Sequence, residues 1–379
     1  MRKVAVLFGG NSCEREISVL TGVFALNLMD REKYIPIPVY FHTDGKMYTS
    51  KKMFSLQTFE KQEFATFERI FFDGGGMYAL NEKRKRVKWL GKVDVALNCC
   101  HGGLGEGGGV SALMQLNNVP LASPDLTASG VFLDKALTKL IAKALSVPTV
   151  DYIRVNERDY RKRGTFLLKT VQSKLKYPVI VKPAHLGSSI GIVVAKNEDE
   201  LKAALEQAFA LDCRVVVEKF LREKSDVNCA AYLLGGEICV SEVEQAASGG
   251  GVYSFEEKYL RRDRGGLLDG NASKSGGRVA LSGELREKIR GYTKTLYKRM
   301  DLRGVVRMDF LVSDGKAYLS EVNTVPGSLA YYLFCERVSD GKRFLSDLVE
   351  EAIVQFDAEQ KTVVSTGILQ SGIASEWRK

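Results

Sequence analysis

The 379-residue chain has few of the residues that build disulfide frameworks and metal clusters. It contains 7 Cys without a Cys-x-x-Cys pair and 3 His, which excludes a histidine-rich zinc site. We therefore expect reduced, mostly buried thiols. Proline is also scarce, at 8 residues against 36 Gly, while 45% of the chain is hydrophobic and 27% is charged. This composition excludes a disordered chain and predicts a folded one.

Long hydrophobic runs are absent as well. No apolar segment approaches the roughly 20 residues that span a bilayer. The start Met1-Arg2-Lys3 leads directly into a strand pattern rather than an apolar signal region. We therefore expect a cytoplasmic protein with no membrane partner. At roughly 100–200 residues per domain, the length excludes a single small module and predicts two or three domains.

Basic residues exceed acidic ones by 55 to 46, a formal charge of +9. A basic surface attracts nucleic acid or small polyanions. The basic runs at 83–86, 161–163 and 261–264 are scattered, however, and lack the interleaved aromatics of a single-strand binding platform. We interpret them as solvated faces and expect small-molecule substrates rather than nucleic acid.

The N-terminal third alternates strands and helices. Residues 3–8 predict a strand that ends at Gly9-Gly10, and helical spacing follows, with Asn11 or Ser12 as N-cap. Further strands are predicted at 34–41 and 93–100, with a polar, poorly periodic stretch between them. Such alternation predicts a small parallel sheet of α/β type.

The pattern changes after about residue 120. A helix is followed by a hairpin over 177–196, a second helix that starts near Asn197, and a strand at 214–221. The last part mixes hairpins and helices, which predicts an α+β unit. Its stretch 248–277 is rich in Gly and Arg, and we expect a mobile lid whose order depends on ligand. The tail after about residue 360 has no clear period.

Four polar residues on two adjacent strands predict a metal site. In 306–312, Arg307 and Asp309 share one face because strand side chains alternate, and Glu321 and Asn323 share a face of the next strand. Carboxylate and amide oxygens suit Mg²⁺. The alternative is a solvated sheet face with an Arg–Asp pair. Asp309 can face Glu321 only across a loop of odd length or a bulge, whereas Asp314-Gly315 suggests a two-residue turn.

Glycine-rich loops follow three other strands. Lys182 precedes Gly187-Ser188-Ser189, which offers N–H groups and hydroxyls to an anion but lacks the Gly-Lys-Ser/Thr of a P-loop. We interpret it as a hairpin over phosphates, with an ordinary polar turn as the alternative. Glu14, after the first strand, either closes a capping box with Asn11 or holds a substrate ammonium. His101 opens HGGLGEGGG at a strand end and is interpreted as a loop histidine rather than a core histidine.

Six ordered motifs together resemble the D-alanine–D-alanine ligase family of ATP-grasp enzymes, over residues 1 to about 360. They are FGGNSCEREIS, HGGLGEGG, VKPAHLGSSIGI, FEEKY, VVRMDF and EVNTVPG. The resemblance implies three α/β domains: an N-terminal substrate domain at 1–120, a central lid at 121–214 and a C-terminal catalytic domain at 215–379. It implies that ATP, with Mg²⁺ or Mn²⁺, phosphorylates one D-alanine and that the amine of the second attacks the acyl phosphate, for peptidoglycan synthesis. A homodimer is compatible with it.

The resemblance also implies roles for individual residues. Closure of the first substrate site and the oxyanion hole fall to Glu14, Ser188, Tyr259, Arg307 and Gly327. Nucleotide binding falls to Lys135, Lys182, Ser189, Glu218, Lys219, Leu221, Asp226 and Lys258. The metal ligands are Asp309, Glu321 and Asn323, and the substrate contacts are His101, Ser328, Leu329, Tyr332 and Leu333.

Departures from the family pattern concern the second substrate. Tyr332 and Leu333 stand where the family carries Ser-Leu, and a shifted register gives that role to Ser328-Leu329 instead. The Lys258-Tyr259 pair favours an amino acid over a hydroxy acid as acceptor. The alternatives are therefore another D-alanyl-X product, with X a small D-amino acid or D-lactate, or a catalytically idle nucleotide-binding regulator. The regulator is the less favoured alternative, because Arg307 and the metal ligands are all present and a protein that only binds nucleotide need not keep them.

Overall fold

Three sheets organise the computed structural model, which describes residues 1–245, 281–362 and 364–366. The first sheet has eight strands in the order β6-β5-β4-β3-β2-β1-β7-β8. These strands are β1 Arg2–Gly9, β2 Tyr34–Phe41, β3 Met47–Thr49, β4 Glu68–Asp73, β5 Gly76–Asn81, β6 Arg86–Lys92, β7 Val95–Asn98 and β8 Leu121–Ala122.

The predicted parallel sheet is confirmed for half of these strands. β1 pairs in parallel with β2 and β7, and β7 with β8, whereas β2 to β6 form an antiparallel series. The prediction missed the antiparallel strands between 42 and 92. They are short or lie at the sheet edge, and β6 is largely exposed and charged, so buried alternation is weak there.

Helices cover both faces of the parallel part of the first sheet, and β1 is fully buried there from Val4 to Phe8. The helices of this region are α1 Arg15–Leu28, α2 Gln57–Glu60, α3 Gly103–Glu106 and α4 Gly109–Leu116, with 3-10 turns at Lys51–Phe54 and Phe64–Thr66. α1 starts two or three residues later than predicted, because its N-cap is Glu14 rather than Ser12 or Asn11. Ser12 accepts a hydrogen bond from the Glu14 N–H at 3.3 Å, and the Glu14 side chain points elsewhere.

The second sheet has its own hydrophobic core. Its order is β11-β10-β12-β9, all antiparallel, with β9 Tyr152–Asn156, β10 Val179–Pro183, β11 Val193–Ala195 and β12 Arg214–Lys219. Helices α7 Glu157–Leu175 and α8 Glu198–Phe209 pack on it. The predicted hairpin over 177–196 and the helix capped by Asn197 are both confirmed, the cap accepting from Glu200 N–H at 2.9 Å.

The third sheet carries the predicted metal hairpin. Its strands are β13 Ser225–Leu234, β14 Glu237–Val240, β15 Glu244–Gln245, β16 Val306–Ser313 and β17 Lys316–Asn323, with β13 and β17 flanking β16. Its core includes residues of α5 Leu126–Leu133, α6 Lys135–Ala144 and α9 Gly283–Arg299. The chain continues through 3-10 turns at Gly327–Leu333 and Val338–Asp340 into α10 Gly341–Glu359.

One hydrophobic cluster joins elements that are far apart in the sequence. It contains Val4 and Phe8 of β1, Phe24 of α1, and Phe344 and Leu348 of α10. The predicted boundary at 214/215 falls inside β12, which completes the second sheet. We propose that the central unit extends through β12. Among the residues described, no helix combines the length and apolar character needed to cross a bilayer.

All seven cysteines are free. Three of them, Cys99, Cys100 and Cys229, are buried, and burial raises the pKa of each of these thiols. The predicted loop at 248–277, with Lys258 and Tyr259, lies outside the described residues.

Candidate active site

A β-bulge brings the two predicted metal carboxylates face to face. Asp314 and Gly315 form a two-residue turn with positive φ at both positions, of the kind that joins antiparallel strands. Regular pairing from that turn would set Asp309 opposite Ser320. The register shifts between Asp309 and Phe310, so that Asp309 pairs with Glu321 and Arg307 with Asn323. The prediction that a bulge or an odd loop is needed is confirmed by the bulge.

Arg307 holds the Asp309 carboxylate with two parallel hydrogen bonds. Its Nε lies 2.7 Å from Oδ1, and its second terminal nitrogen lies 2.8 Å from Oδ2. The Asn323 side-chain amide donates to the same Oδ2 at 3.1 Å. The Arg–Asp pair that we considered as an alternative to a metal site therefore exists, and it forms part of the predicted site. Such a forked pair fixes the guanidinium plane, so that one edge can address a second anion.

The polar row extends beyond the hairpin to residues that the sequence analysis missed. Across the sheet, Asn228 of β13 pairs with Asp309 on one side and with Glu244 of β15 on the other. Four polar side chains from four strands thus stand in line, ending at Glu321. Strand alternation in 225–234 is a signal that could have placed Asn228 on this face.

Glu14 meets the glycine-serine loop, as the resemblance implies. The Ser188 hydroxyl donates a hydrogen bond to Glu14 Oε1. Two glycines make this approach possible: a Cβ added at Gly187 would lie 2.6 Å from Glu14 Oε2, and one added at Gly102 would lie 2.8 Å from it. The capping-box alternative is wrong for the Glu14 carboxylate, because that group reaches across to the loop. Tyr259 lies outside the described residues.

Lys135 connects the glycine-serine loop to the metal hairpin. It is the first residue of α6, and its ammonium group donates to the Leu186 carbonyl at 2.5 Å and lies 3.6 Å from Glu321 Oε2. Its side chain is largely buried. The lysine predicted to bind phosphate therefore lies beside a predicted metal ligand, so two residues with predicted nucleotide-side roles are neighbours in the structure.

A second pair of lysines surrounds a buried carboxylate. Glu218 is 1% exposed, with Lys182 Nζ at 2.9 Å and Lys139 Nζ at 3.1 Å. Burial alone would raise the pKa of Glu218, but the two ammonium groups lower it to about 2. Burial also lowers the pKa of Lys139. The Glu218 side chain is thus committed to an internal ion cluster, and its predicted nucleotide contact stays a prediction.

The remaining predicted nucleotide residues are dispersed around this cluster. Ser189 follows Ser188 in the loop, Lys219 ends β12 and is exposed, and Leu221 is half-buried just beyond it. Asp226 on β13 accepts from Lys224 Nζ at 2.7 Å. It lies two residues from Asn228 on the same strand face. Its ribose role stays a prediction.

His101 is held on both ring nitrogens by the protein. It is 4% exposed; Nδ1 lies 2.6 Å from the Val325 carbonyl, and Nε2 lies 2.8 Å from Thr21 Oγ1. Burial lowers its pKa to about 4, so the ring is neutral near pH 7. His101 is therefore both a loop residue and a core residue, and neither of its nitrogens is available to a substrate in this conformation.

Glu106 is a second functional candidate that the sequence analysis missed. Its carboxylate accepts from Gly102 N–H at 2.9 Å, from Thr324 N–H at 3.1 Å and from Val325 N–H at 3.3 Å. Burial raises its pKa to about 7, with a further contribution from Glu14. It ends the short helix α3 within the glycine-rich HGGLGEGGG segment. A lone acidic residue among so many glycines is the signal that could have singled it out.

The two adjacent tyrosines that follow Gly327 lie in different environments. Tyr331 is 6% exposed and packs on Phe24 with ring centroids 4.8 Å apart. Tyr332 is 37% exposed, and its hydroxyl accepts from Arg307 Nη1 at 3.2 Å. Ser328 and Leu329 are buried. Tyr331 thus has a packing role, while Tyr332 reaches the site beside the proposed oxyanion residue; Leu333 is half-buried next to it.

The donor set of the hairpin fits Mg²⁺. Among the described residues, no group of three or more His, Cys, Asp and Glu side chains is arranged to hold a metal. Two facing carboxylates and an amide instead leave coordination positions for water and phosphate, which is how Mg²⁺ is usually bound beside nucleotides. A catalytic zinc or soft-metal site would need imidazole or thiolate donors, and the polar row contains neither.

Comparison with known proteins gives a consistent result along the chain. A family model described as D-ala D-ala ligase N-terminus matches residues 3–124, and one described as D-ala D-ala ligase C-terminus matches residues 141–354. A D-alanine–D-alanine ligase of Thermosipho africanus (strain TCF52B) is 31% identical over 371 residues, covering 96% of this chain and 97% of the relative. One from Clostridium novyi (strain NT) is 31% identical over 359 residues, covering 93% and 98%.

Solved structures share the fold. The crystal structure of D-alanine–D-alanine ligase from Helicobacter pylori superposes with a TM-score of 0.73 at 25% identity, covering 95% of this chain and all of that one. The VanG D-Ala:D-Ser ligase from Enterococcus faecalis superposes with a TM-score of 0.74 at 23% identity, covering 93% and 99%. At that identity the second likeness shows the fold alone.

Proposed function

The chain belongs to the D-alanine–D-alanine ligase family, and from that premise we propose the following assignment of its substrates and residues. It is an ATP-dependent ligase that joins two D-alanines for cell-wall synthesis. ATP and D-alanine are cytoplasmic metabolites, so we place its action in the cytoplasm. Homodimer formation stays a prediction.

The observation that carries the proposal is the meeting of two half-sites through Lys135. Glu14 with Ser188 supplies a carboxylate beside a hydroxyl on the substrate side. Asp309 with Glu321 supplies paired oxygens on the nucleotide side, and Lys135 lies 3.6 Å from Glu321. A carboxylate–amine ligase must bring an amino acid and the ATP γ-phosphate together, and this arrangement provides for both.

We propose that Glu14 binds the ammonium of the first D-alanine while Ser188 keeps its carboxylate oriented. Asp309, Glu321 and Asn323 would hold Mg²⁺, which supplies charge neutralisation to the phosphates when bound. Lys135 and Lys182 add positive charge on the same side. With Ser189, the glycine-serine loop offers backbone N–H groups to the phosphates.

Arg307 and the Gly327 N–H are the proposed oxyanion donors. A Cβ added at Gly327 would meet no atom within 4 Å, so the space at that position is open. The tetrahedral carbon that forms when the second amine attacks carries a negative oxygen, and fixed donors stabilise that charge without reorganising. Asp309 keeps the Arg307 plane in place for this purpose.

Tyr332 is the proposed acceptor-side residue. Its hydroxyl lies 3.2 Å from Arg307 Nη1, beside the proposed oxyanion position. The phenol is larger than the serine hydroxyl that the family pattern places there, and the subsite is correspondingly reshaped. The buried Ser328-Leu329 pair is the weaker candidate for the acceptor carboxylate because neither side chain is exposed.

ADP release decides between ligase and binder. The intact chain with ATP, Mg²⁺ and D-alanine should release ADP and form D-alanyl-D-alanine, identified by mass spectrometry. D-serine and D-lactate offered together with D-alanine rank the acceptors. A chain that binds ATP but releases no ADP with any acceptor would favour the idle regulator instead.

A further inference from the structure

The backbone that follows Gly327 has an unfavourable conformation. Ser328, Leu329 and Ala330 have φ values of 50°, 54° and 49° in succession, in the left-handed region. Residues with a Cβ rarely adopt this region, and a run of three persists only when neighbouring groups hold it. All three residues are buried, so their surroundings are protein rather than solvent.

A single hydroxyl of helix α1 reaches this backbone. Thr21 is 1% exposed, and its Oγ1 accepts from Ser328 N–H at 3.1 Å. The same oxygen lies 2.8 Å from His101 Nε2, and His101 Nδ1 lies 2.6 Å from the Val325 carbonyl. Thr21 and His101 thus connect the backbone on either side of Gly327.

The protons of this relay have only one consistent arrangement. The Val325 carbonyl can only accept, so His101 Nδ1 carries a proton and donates. The ring is neutral, so Nε2 accepts and the Thr21 O–H must donate to it. The oxygen of Thr21 is then left to accept from Ser328 N–H. Every donor in the relay has one acceptor. The Thr21 hydroxyl alone both donates to His101 and accepts from Ser328 N–H, so it connects the two.

We propose that Thr21 is a positioning residue that, through His101 and Ser328 N–H, holds the left-handed turn and so fixes the direction of the Gly327 N–H. This assignment rests on the proposed role of that N–H as an oxyanion donor. Gly327 has no side chain to anchor it, and an added Cβ there would meet no atom within 4 Å. Its orientation is therefore set by the flanking backbone, where Leu329 N–H donates to the Pro326 carbonyl at 2.8 Å and the relay holds the Val325 carbonyl and the Ser328 N–H. Thr21 itself touches no substrate.

The chain offers a matched control on the same helix. Ser18 is 0% exposed, donates to the Cys99 carbonyl at 2.7 Å and accepts from Gly9 N–H at 2.7 Å. It makes as many hydrogen bonds as Thr21, but none to the 325–330 segment. Ser18→Ala therefore reports the cost of losing a buried hydroxyl from α1 without loss of the relay.

The test compares Thr21→Val, Thr21→Ser and Ser18→Ala in the full chain. Thr21→Val should lower kcat for ligation on the order of 100-fold, as expected when a transition-state donor is misplaced by about 1 Å, and should leave KM for ATP unchanged. The Ser328 amide should exchange faster with solvent, and the His101 Nε2 resonance should shift. Thr21→Ser should restore all three readouts, whereas Ser18→Ala should lower the melting temperature and keep kcat.

Three results would overturn the proposal: wild-type kcat in Thr21→Val, an equal kcat loss in Ser18→Ala, or unchanged protection of the Ser328 amide in Thr21→Val. If Thr21→Val does not fold, Thr21→Cys replaces it with a weaker donor of similar size, and the same three outcomes apply. If the wild-type chain released no ADP with D-alanine, the proposed function would fail. The amide and imidazole readouts would still decide whether Thr21 positions the turn.

Discussion

At the scale of single residues, the site depends on charges that are held by specific partners. Asp309 illustrates this, because its carboxylate accepts a hydrogen bond from Arg307 while the residue is paired with Glu321 on the next strand. A substitution here tests the metal assignment and the guanidinium orientation together.

Asp309→Asn should lower kcat by at least about 100-fold while the fold persists, since the side chain keeps its shape but loses the charge that binds cation and guanidinium. ADP release measured over a range of Mg²⁺ concentrations checks this. Asp314→Asn is the control, because Asp314 lies in the turn of the same hairpin, and Asn tolerates the positive φ of 49° there. Near-normal turnover of Asp309→Asn at saturating Mg²⁺ would contradict the metal assignment.

Tyr332→Ser should change the acceptor KM or the order of preferred acceptors and leave ATP and first-substrate binding nearly unaltered, because the phenol lies beside Arg307, where we propose that the acceptor binds. Steady-state kinetics with D-alanine, D-serine and D-lactate provide the measurement. Tyr332→Phe separates the hydroxyl from the ring volume. Loss of thermal stability with an unchanged acceptor ranking would assign Tyr332 the packing role that Tyr331 already has.

Glu218→Gln should destabilise the protein by about 3–5 kcal/mol, because it leaves two buried ammonium groups without their counter-charge. Urea unfolding measures this. The pKa of Glu218 is lowered to about 2, so its stabilising contribution is present above the unfolded value near 4.3 and is lost as the pH falls through about 2. The variant should lack that part of the acid dependence. Exposed Glu206→Gln, which removes a surface pair with Arg161, should change far less.

At the scale of secondary-structure elements, helix α6 and the glycine-serine loop share one ion cluster. Asp134 caps α6 by accepting from Ala136 N–H at 2.8 Å, and it also lies 3.3 Å from Arg214. His185, at the base of the loop, lies 3.5 Å from Asp134 and 2.9 Å from Asp212. This cluster fixes the start of the helix that carries Lys135 against the loop that carries Ser188.

His185→Gln should remove a pH-dependent stabilisation of about 1–2 kcal/mol. The hydrogen bonds that the His185 ring donates to Asp134 and then to Asp212 raise the pKa of His185 to about 9. A raised pKa gives stability that is complete below the unfolded value near 6.5 and is lost as the pH rises through about 9. Melting temperatures recorded across that interval should fall in the wild type and stay flatter in the variant. Parallel curves for both proteins would contradict the role of the cluster.

Sequence periodicity predicted many of the elements that position the site. The alternation in 306–312 placed Arg307 and Asp309 on one face, and parity alone required the bulge that the structure shows at Asp309/Phe310. The sequence could not predict the long-range partners of Thr21 or Glu106. Their side-chain oxygens accept from backbone N–H groups more than 200 positions away, and the local sequence carries no pattern that identifies such a partner. Motif resemblance supplied Ser188 and Glu14, whose contact no periodicity would predict.

At the scale of the whole molecule, separate hydrophobic cores predict separate unfolding units. The β9–β12 sheet has its own core, which includes Leu205, while Phe344 belongs to the cluster shared by β1 and α10. Leu205→Ala should lower the midpoint temperature of one calorimetric transition, and Phe344→Ala that of another. Each substitution should reduce the unfolding free energy of its unit by about 2–5 kcal/mol. A single transition that both variants shift equally would contradict this division.

The shared cluster also bears on how the chain is made. Strand β1 leaves the ribosome long before some of the residues that bury one of its faces, which include Phe344, Leu348 and Ala352. At roughly 5–20 residues per second, those partners are translated tens of seconds later. The segment Val4–Phe8 is fully buried in the folded protein. During synthesis, part of its apolar surface stays exposed until those partners have been translated. The central sheet, complete once Lys219 has emerged, is free to fold earlier, so the order of folding differs from the order of translation.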